Sequence, residues 1–316
     1  MFDSLIRDVR VARRSLARTP LVTGAAVASI ALGIAASTAV FAVVDAALLR
    51  PPPFVEAEHL GIALITRQRL GEASRSPGER WSWRRARVLR RARSFESVAT
   101  FTVAPVTLTG DLPIPANAEF VSSSYWSTLR VWPIRGRAFE PQDDEGAGGS
   151  GTAIIGYAMW QHQFGGNESI VGRSIAVNGV YVVVAGIAPP GFTGLSGRAD
   201  VWLPATIAPR IYYAGYLTTN QNFISVVARL RDGVSFDAAR AELAVLGEAI
   251  QREAPSDSDV PGMRFSATVI PLADARIDVS TRRPLALLAA SVACLLALSC
   301  ANVAGLLLGR IASRRR

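Results

Sequence analysis

The chain has 316 residues, half of them apolar and 19% charged, with a formal net charge of +9. That length allows about two globular units. The apolar excess sits at the two ends, so membrane ends around a soluble middle are expected. All 34 basic residues are arginine, which excludes the lysine-dependent phosphate loop G-x-x-x-x-G-K-[ST] and leaves any ATP hydrolysis to another chain or segment.

Residues 1–19, "MFDSLIRDVRVARRSLART", place Phe2, Leu5, Ile6, Val9, Ala12 and Leu16 at helical spacing among arginines, which predicts a basic amphipathic helix on the cytoplasmic membrane surface. From Leu21 to Val44 no residue is charged. A helix over 20–49 is long enough to cross about 30 Å of hydrocarbon and too long for the apolar core of a cleaved signal, roughly 7 to 15 residues. Asp45 and Arg50 fall at the outer headgroup level, and Pro51, Pro52 and Pro53 set an extended exit. A second uncharged run, 284–309, predicts a second span, and 310–316 a short cytoplasmic tail. Arginines before the first span and after the second put both termini in the cytoplasm. The protein is then multi-pass in the inner (plasma) membrane, with residues about 50–283 periplasmic or extracellular.

That middle reads as α+β. "HLGIALITRQ" is a strand, and "SPGERWSWRRARVLRRARSF" carries Val88, Ala92 and Phe95 at helical spacing. "SVATFTVAPVTLTG" is extended. "NFISVVARLRDG" is a strand ending at Gly233, "SFDAARAELAVLGEAIQREAP" a helix capped by Ser235, and "MRFSATVIPLA" a closing strand. Two β-α-β units therefore flank a central block, about 105–221, richer in strands and turns. Within it Asn178-Gly179 predicts a tight hairpin, since both central positions of a type I′ turn need positive φ. The block is expected to be an inserted, mainly β lobe.

No catalytic constellation emerges. "EGAGGSGTAII" has glycines before a strand rather than between strand and helix, which excludes a dinucleotide loop. Asp143, Asp144 and Glu145 lack calcium-loop spacing and read as a solvated acidic turn. His59 and His162 are the sole histidines, with His162 expected as an ordinary partly buried side chain on a helix. Cys294 and Cys300 lie six apart in an apolar run, face away from each other and read as small apolar packing residues. The chain is expected not to be an enzyme, with no cofactor and no metal. The seven arginines and two tryptophans of "RWSWRRARVLRRAR" are a solvated helix face or a surface for a protein partner or anionic headgroups; outside the membrane, nucleic acid is not the expected partner.

In the spans, small residues recur every fourth position. Ser29, Gly33 and Ser37 in the first, and Ala297, Ala301 and Gly305 in the second, are candidate helix-packing positions. Asn302 wants a hydrogen-bonding partner on another helix.

"RVARRSLARTPLVTGAAVASIALGIAASTAVFAVVDAALLRPPPF", "VSSSYWSTLRVWPIRGRAFEPQDD", "AIIGYAMWQHQFGGNESIVGRSIAVNGVYVVVAGIAPPGFTG", "VVARLRDGVSFDAARAEL" and "LLALSCANVAGLLLGRIASRRR" together resemble MacB/FtsX-type ABC transporter permeases, particularly the large duplicated permeases common in acidobacteria. The resemblance implies a MacB-like extracytoplasmic domain with a porter-like lobe made of the two β-α-β units and an inserted β lobe. It also implies a cytoplasmic ABC ATPase partner acting in trans, membrane lipid around the helices, a possible permease dimer partner and a possible periplasmic adaptor. ATP-driven motion would reach the outer domain through the helices, for efflux or envelope export. Such permeases have four membrane helices where this sequence has two, and Gly305 stands where a second asparagine is common, so an N-terminal part of the unit is expected. The alternatives are a membrane-anchored ligand-binding or sensor protein, and a degenerate permease.

Overall fold

The computed structural model describes residues 20–44, 53–69, 78–109, 113–144, 151–255 and 263–275, and, in the C-terminal apolar stretch, 287–288, 290–298, 300–301 and 304–305. The expected helix at 1–19, the interface residues Asp45 and Arg50, the tail 310–316 and Asn302 lie outside the described residues. The chain divides into two units, Met1–Pro51 with Arg276–Arg316, and Pro52–Ala275.

The first unit contains helix α1, Pro20–Val44, 25 residues without a charge. The described part of the C-terminal stretch is helical as well. Alanine is the strongest helix former, and no proline interrupts the run after Pro20. α1 shows no polar face, and Val27, Leu32 and Phe41 are each more than 60% exposed. Taken over the described residues, no helix is long and apolar enough to cross a membrane. The side chains of 21–23, 25, 26, 43 and 44 are not among those described, whereas the α1 backbone by itself spans about 37 Å.

In the second unit, β1 (Leu60–Arg69), β2 (Phe95–Thr109), β9 (Ser225–Leu230) and β10 (Met263–Pro271) lie in the order β10-β1-β9-β2, every pair antiparallel. Helix α2 (Trp83–Val88) connects β1 to β2, and α6 (Phe236–Glu253) connects β9 to β10. This is the ferredoxin-like split β-α-β pair. Ser235 caps α6 by accepting from the Ala238 amide at 3.2 Å. Ala239, Leu243, Gly247 and Ile250 form its buried stripe. At Gly247 a Cβ would stand 3.0 Å from the β10 backbone, so the helix packs directly on the sheet.

Beyond Phe101, β2 leaves β9 and pairs with β3 (Ile114–Val121). A ring of pairings follows: β3 with β8 (Val201–Pro204), β8 with β5 (Thr152–Ile155), β5 with β7 (Val180–Ile187), β7 with β6 (Ser174–Val177), and β6 back to β2 at Leu108 and Thr109. The inserted lobe is therefore a closed six-stranded barrel, which removes the exposed strand edges an open insert would carry. Alternate residues fill it: Val106 and Leu108, Ala118 and Phe120, Val182 and Val184, Val201 and Leu203. A two-residue strand, β4 (Arg135–Gly136), adds to β7 outside the ring. The hairpin at Asn178 and Gly179 has φ of 48° and 80°, as the turn type requires. Helices α3 (Tyr125–Leu129), α4 (Tyr157–Phe164) and α5 (Ala208–Ile211) follow β3, β5 and β8.

Three expectations change. The arginine-rich helix is α2 plus a single 3-10 turn, Leu89–Arg91. Ala92 is extended and Phe95 opens β2, because the Glu242 carboxylate of α6 captures the Arg93 and Ser94 amides at 2.7 and 2.8 Å and turns the chain out of the helix. Nor is that run a purely solvated face. Trp81 belongs to the core under α6, Trp83 to the barrel core, and Arg85 is fully buried against the Ala254 carbonyl at 2.7 Å and over the Phe265 ring at 4.6 Å. Lastly, β9 ends at Leu230, short of Gly233, whose φ of 77° belongs to the turn before α6.

Candidate functional site

The chain enters and leaves the second unit side by side. β1 and β10 are antiparallel neighbours with Gly61 opposite Pro271, so the start of one faces the end of the other. Helix α7 (Leu272–Ala275) packs back on β1 and on the 3-10 turn Ala57–His59 that precedes it. Whatever pulls on either end of this unit pulls at one place.

Arg229 of β9 holds that place together. It is fully buried. Its Nε donates to the Thr128 carbonyl at 2.8 Å, Nη2 to Val55 at 3.0 Å and Nη1 to Glu56 at 3.2 Å, with the Glu56 carboxylate 3.8 Å away. One guanidinium thus joins the entering chain, α3 and the sheet, a pattern that needs several donors in a fixed fork. Burial lowers its pKa from the ordinary arginine value, as does the charge of Arg130 beside it, against Glu96 and Glu56. Arg130 in turn pairs with Glu56 and, at 3.3 Å, with Glu96. Glu56 and Arg130 both sit in the left-handed region, φ 49° and 54°, a conformation that costs non-glycine residues energy. Two strained residues facing each other in an ion pair mark the joint as over-determined by its contacts.

The second buried polar centre fixes the 188–200 loop to the outer wall of the barrel. Glu119 of β3, fully buried, accepts from the Tyr125 hydroxyl at 2.6 Å, the Trp202 indole at 2.8 Å and the Ser196 amide at 2.8 Å. The same hydroxyl accepts from the Leu195 amide at 2.9 Å. Gly194 has φ 74°, and a Cβ there would stand 2.2 Å from the Glu119 carboxylate, so glycine is required twice over. Trp126 and Phe192 close the loop over Trp202, with ring centroids 5.4 and 5.2 Å away. Burial raises the Glu119 pKa above its ordinary value against these hydrogen bonds, and burial likewise raises that of Tyr125.

With this geometry in place, the family is decided by the sequence match: residues 23–246, more than half of the chain, fit the MacB-like periplasmic core domain. The chain belongs to that family. Among solved structures, a domain of a permease protein from Porphyromonas gingivalis aligns with TM-score 0.51 and 14% identity, over 70% of this chain and 92% of that one. The periplasmic region of MacB from Actinobacillus actinomycetemcomitans aligns with TM-score 0.50 at 14% identity, over the same shares. No curated protein matches the chain.

In this MacB-like chain the sequence-derived positions fall unevenly. Ser29 and Ser37 are half-buried and Gly33 is buried on α1, with Ser37 donating to the Gly33 carbonyl at 2.7 Å. Ala297, Ala301 and Gly305 are exposed. Ser37, Thr38 and Phe41 line a groove with Val292, Ala293 and Leu296, so within that unit the two apolar helices run beside each other. Cys294 and Cys300 are exposed and unbridged rather than packed, because this helix presents apolar side chains outward as well as toward its neighbour. His162 is exposed rather than partly buried, since Met159 and Trp160 take the inner face of α4. The acidic turn is not solvated: Asp143 is buried, bound to the Arg137 guanidinium at 2.7 and 3.2 Å and to the Glu140 amide at 2.8 Å. Asp144 accepts from the Ser123 amide at 2.5 Å, and Glu145 lies outside the described residues. Neither Arg229 nor Glu119 stood out in the sequence. The usable signals were a charge inside each of two strands otherwise built for burial, "SVVARL" and "NAEFV".

Replacing Arg229 by methionine strands three carbonyls at once. We expect a loss of about 3 kcal/mol in unfolding free energy, with hydrogen exchange accelerated at 53–60 and unchanged at 114–121; uniform acceleration would contradict a local joint. For Glu119 the folded state holds its proton more tightly than the unfolded chain does. Its contribution to stability is therefore fully present below pH 4.5 and is lost as pH rises through the raised folded-state value. Denaturation at stepped pH should show the wild type losing ground against Glu119→Gln on moving upward from that pH, and a constant difference would exclude the raised pKa.

Proposed function

We propose that this chain, a permease subunit or fragment of an ABC transporter, acts as a lever. α1 and the C-terminal apolar helix cross the inner (plasma) membrane. Both termini are cytoplasmic, and residues about 50–283 stand outside as the MacB-like periplasmic core domain. A separate cytoplasmic ABC ATPase binds and hydrolyses ATP, so this chain itself carries no catalytic step and no cofactor. Movement of the helices then reaches the outer domain and reshapes it for efflux or envelope export, in a dimer with a second permease and with a periplasmic adaptor as a further partner.

The observation that carries this reading is the adjacency of entry and exit, Gly61 opposite Pro271. Two spans attached at one corner of a domain can tilt it, whereas attachment at opposite ends would only stretch it. The uncharged 25 residues of α1, about 37 Å against a hydrocarbon layer of about 30 Å, support the span. Its exposed Val27, Leu32 and Phe41 need an apolar solvent, which lipid supplies.

The test joins topology to partner. Asp232 has a 91% exposed side chain. In a background with Cys294→Ala and Cys300→Ala, Asp232→Cys should react with a membrane-impermeant maleimide in intact spheroplasts, and labelling only after lysis would refute the topology. The tagged full-length product, solubilised in mild detergent, should co-purify with an ABC ATPase. Correct labelling without that ATPase would overturn the lever and favour an anchored sensor.

A further inference from the structure

We propose that the cleft between α2 and the barrel is a binding site for a small phosphomonoester that carries an ammonium or hydroxyl donor. The inference goes beyond the lever and does not depend on it, since it rests on the second unit alone.

Arg84, Arg87 and Arg90 follow one another at every third residue along α2 and the 3-10 turn that continues it, which sets all three on one face. The segment is anchored by Trp83 in the barrel core and by Ala86 and Leu89 in the sheet core, so the row cannot rotate away. The three arginines line a cavity of about 380 Å³, with Trp83, Asp144, Thr206 and Leu217 as its other walls. That volume suits a small molecule rather than a folded partner.

The arginines are largely uncommitted. Arg84 reaches Asn220 at 3.4 Å, the outer limit of a hydrogen bond. Among the described residues Arg87 makes no hydrogen bond or ion pair, and Arg90 stands near Asp144 without an ion pair inside 4 Å. By contrast Arg85, Arg91 and Arg67 of the same region are all engaged, with Ala254, Glu253 and Glu79. Asp144 supplies a second, independent sign. One carboxylate oxygen accepts from the Ser123 amide, while Oδ1 is buried and has no partner. A buried acceptor left unmatched costs about 1–3 kcal/mol, and a small turn of the Asp144 carboxylate toward the cleft, against a donor brought in by a ligand, removes that cost.

Charge selects the ligand class. Three guanidiniums against one carboxylate leave the cleft two charges positive, the complement of a phosphomonoester at about −1.5 to −2 near neutral pH. Guanidiniums bind phosphate oxygens bidentately, Leu217 and Trp83 cover a short apolar linker, and Asp144 takes the donor. A lipid headgroup can offer the same donor, but its phosphodiester carries only about one charge, so the charge match favours a free phosphomonoester.

The test is calorimetric titration of the full chain in detergent with phosphoethanolamine, phosphocholine and inorganic phosphate. Phosphoethanolamine should saturate the site and bind more tightly than phosphocholine, whose quaternary ammonium cannot donate. Arg87→Gln, at an exposed position, should weaken it about tenfold or more, and Asp144→Asn should erase the difference between the two probes. Circular dichroism confirms that each variant is folded. Tighter binding of monomeric dihexanoyl phosphatidylethanolamine, a phosphodiester, would overturn the phosphomonoester assignment in favour of a lipid headgroup, and weaker binding would support it. Absence of saturable binding by every probe to about 1 mM, or binding indifferent to Arg87→Gln, would overturn the proposal.

Discussion

The Pro52–Ala275 unit depends on one strand. β2 runs 15 residues, about 50 Å at 3.4 Å per residue. Its first half is hydrogen-bonded to β9 and its second to β3, and Phe101 is paired with both. The two lobes therefore have no linker between them. A relative rotation must bend a strand whose backbone groups are bonded on alternating sides, and breaking those bonds without replacement is costly. Trp81 and Trp83 reinforce the seam, because two residues of one short segment plug the two different cores. The ferredoxin-like sheet and the barrel are thus joined through continuous hydrogen-bonded strand and through two buried indoles.

The general plan of the domain was legible because its signals are local. Ser235 before an apolar stripe of period 3.6 marks a helix start, and Asn178-Gly179 between β-branched runs marks a hairpin; both need only neighbouring residues to form. Closure of the inserted lobe was not legible. The pairing that closes the ring, Leu108 with Val177, joins residues 69 positions apart and involves two residues of β2, and nothing in either strand records the other. The end of α2 was misjudged for the same reason: Ala92 and Phe95 do sit at helical spacing, but the Glu242 carboxylate that turns the chain lies 148 residues away from Ser94.

The polar centres were harder still, because their meaning depends on partners. A glutamate among strand residues reads as solvent-facing, yet Glu119 stands opposite Trp202 in the β3–β8 register and faces outward from the barrel into the layer covered by α3 and the 188–200 loop. Asp143 in "PQDDE" reads as a surface turn until Arg137, six residues earlier, folds back on it. Both were hidden by composition: where every basic residue is arginine, the identity of a particular arginine carries little information, and burial is what sets Arg229, Arg85 and Arg67 apart from the more exposed arginines among the described residues.

Arg229 shows why that residue type suits a joint. Lysine would present three donors at a point, and a hydrophobic residue would leave the Val55, Glu56 and Thr128 carbonyls unpaired. The planar guanidinium instead bonds three segments in three directions, so no one of them can shift without weakening the bonds of the others. The strain in Glu56 and Arg130 works with this arrangement. Arg130 ends α3 in the left-handed region with its amide bonded to the Ser127 and Trp126 carbonyls, and Glu56 opens the 3-10 turn Ala57–His59 from the same region, so the ion pair ties two chain reversals together. At Arg229 three separate segments are locked by a single buried side chain, which the point charge of a lysine could not do.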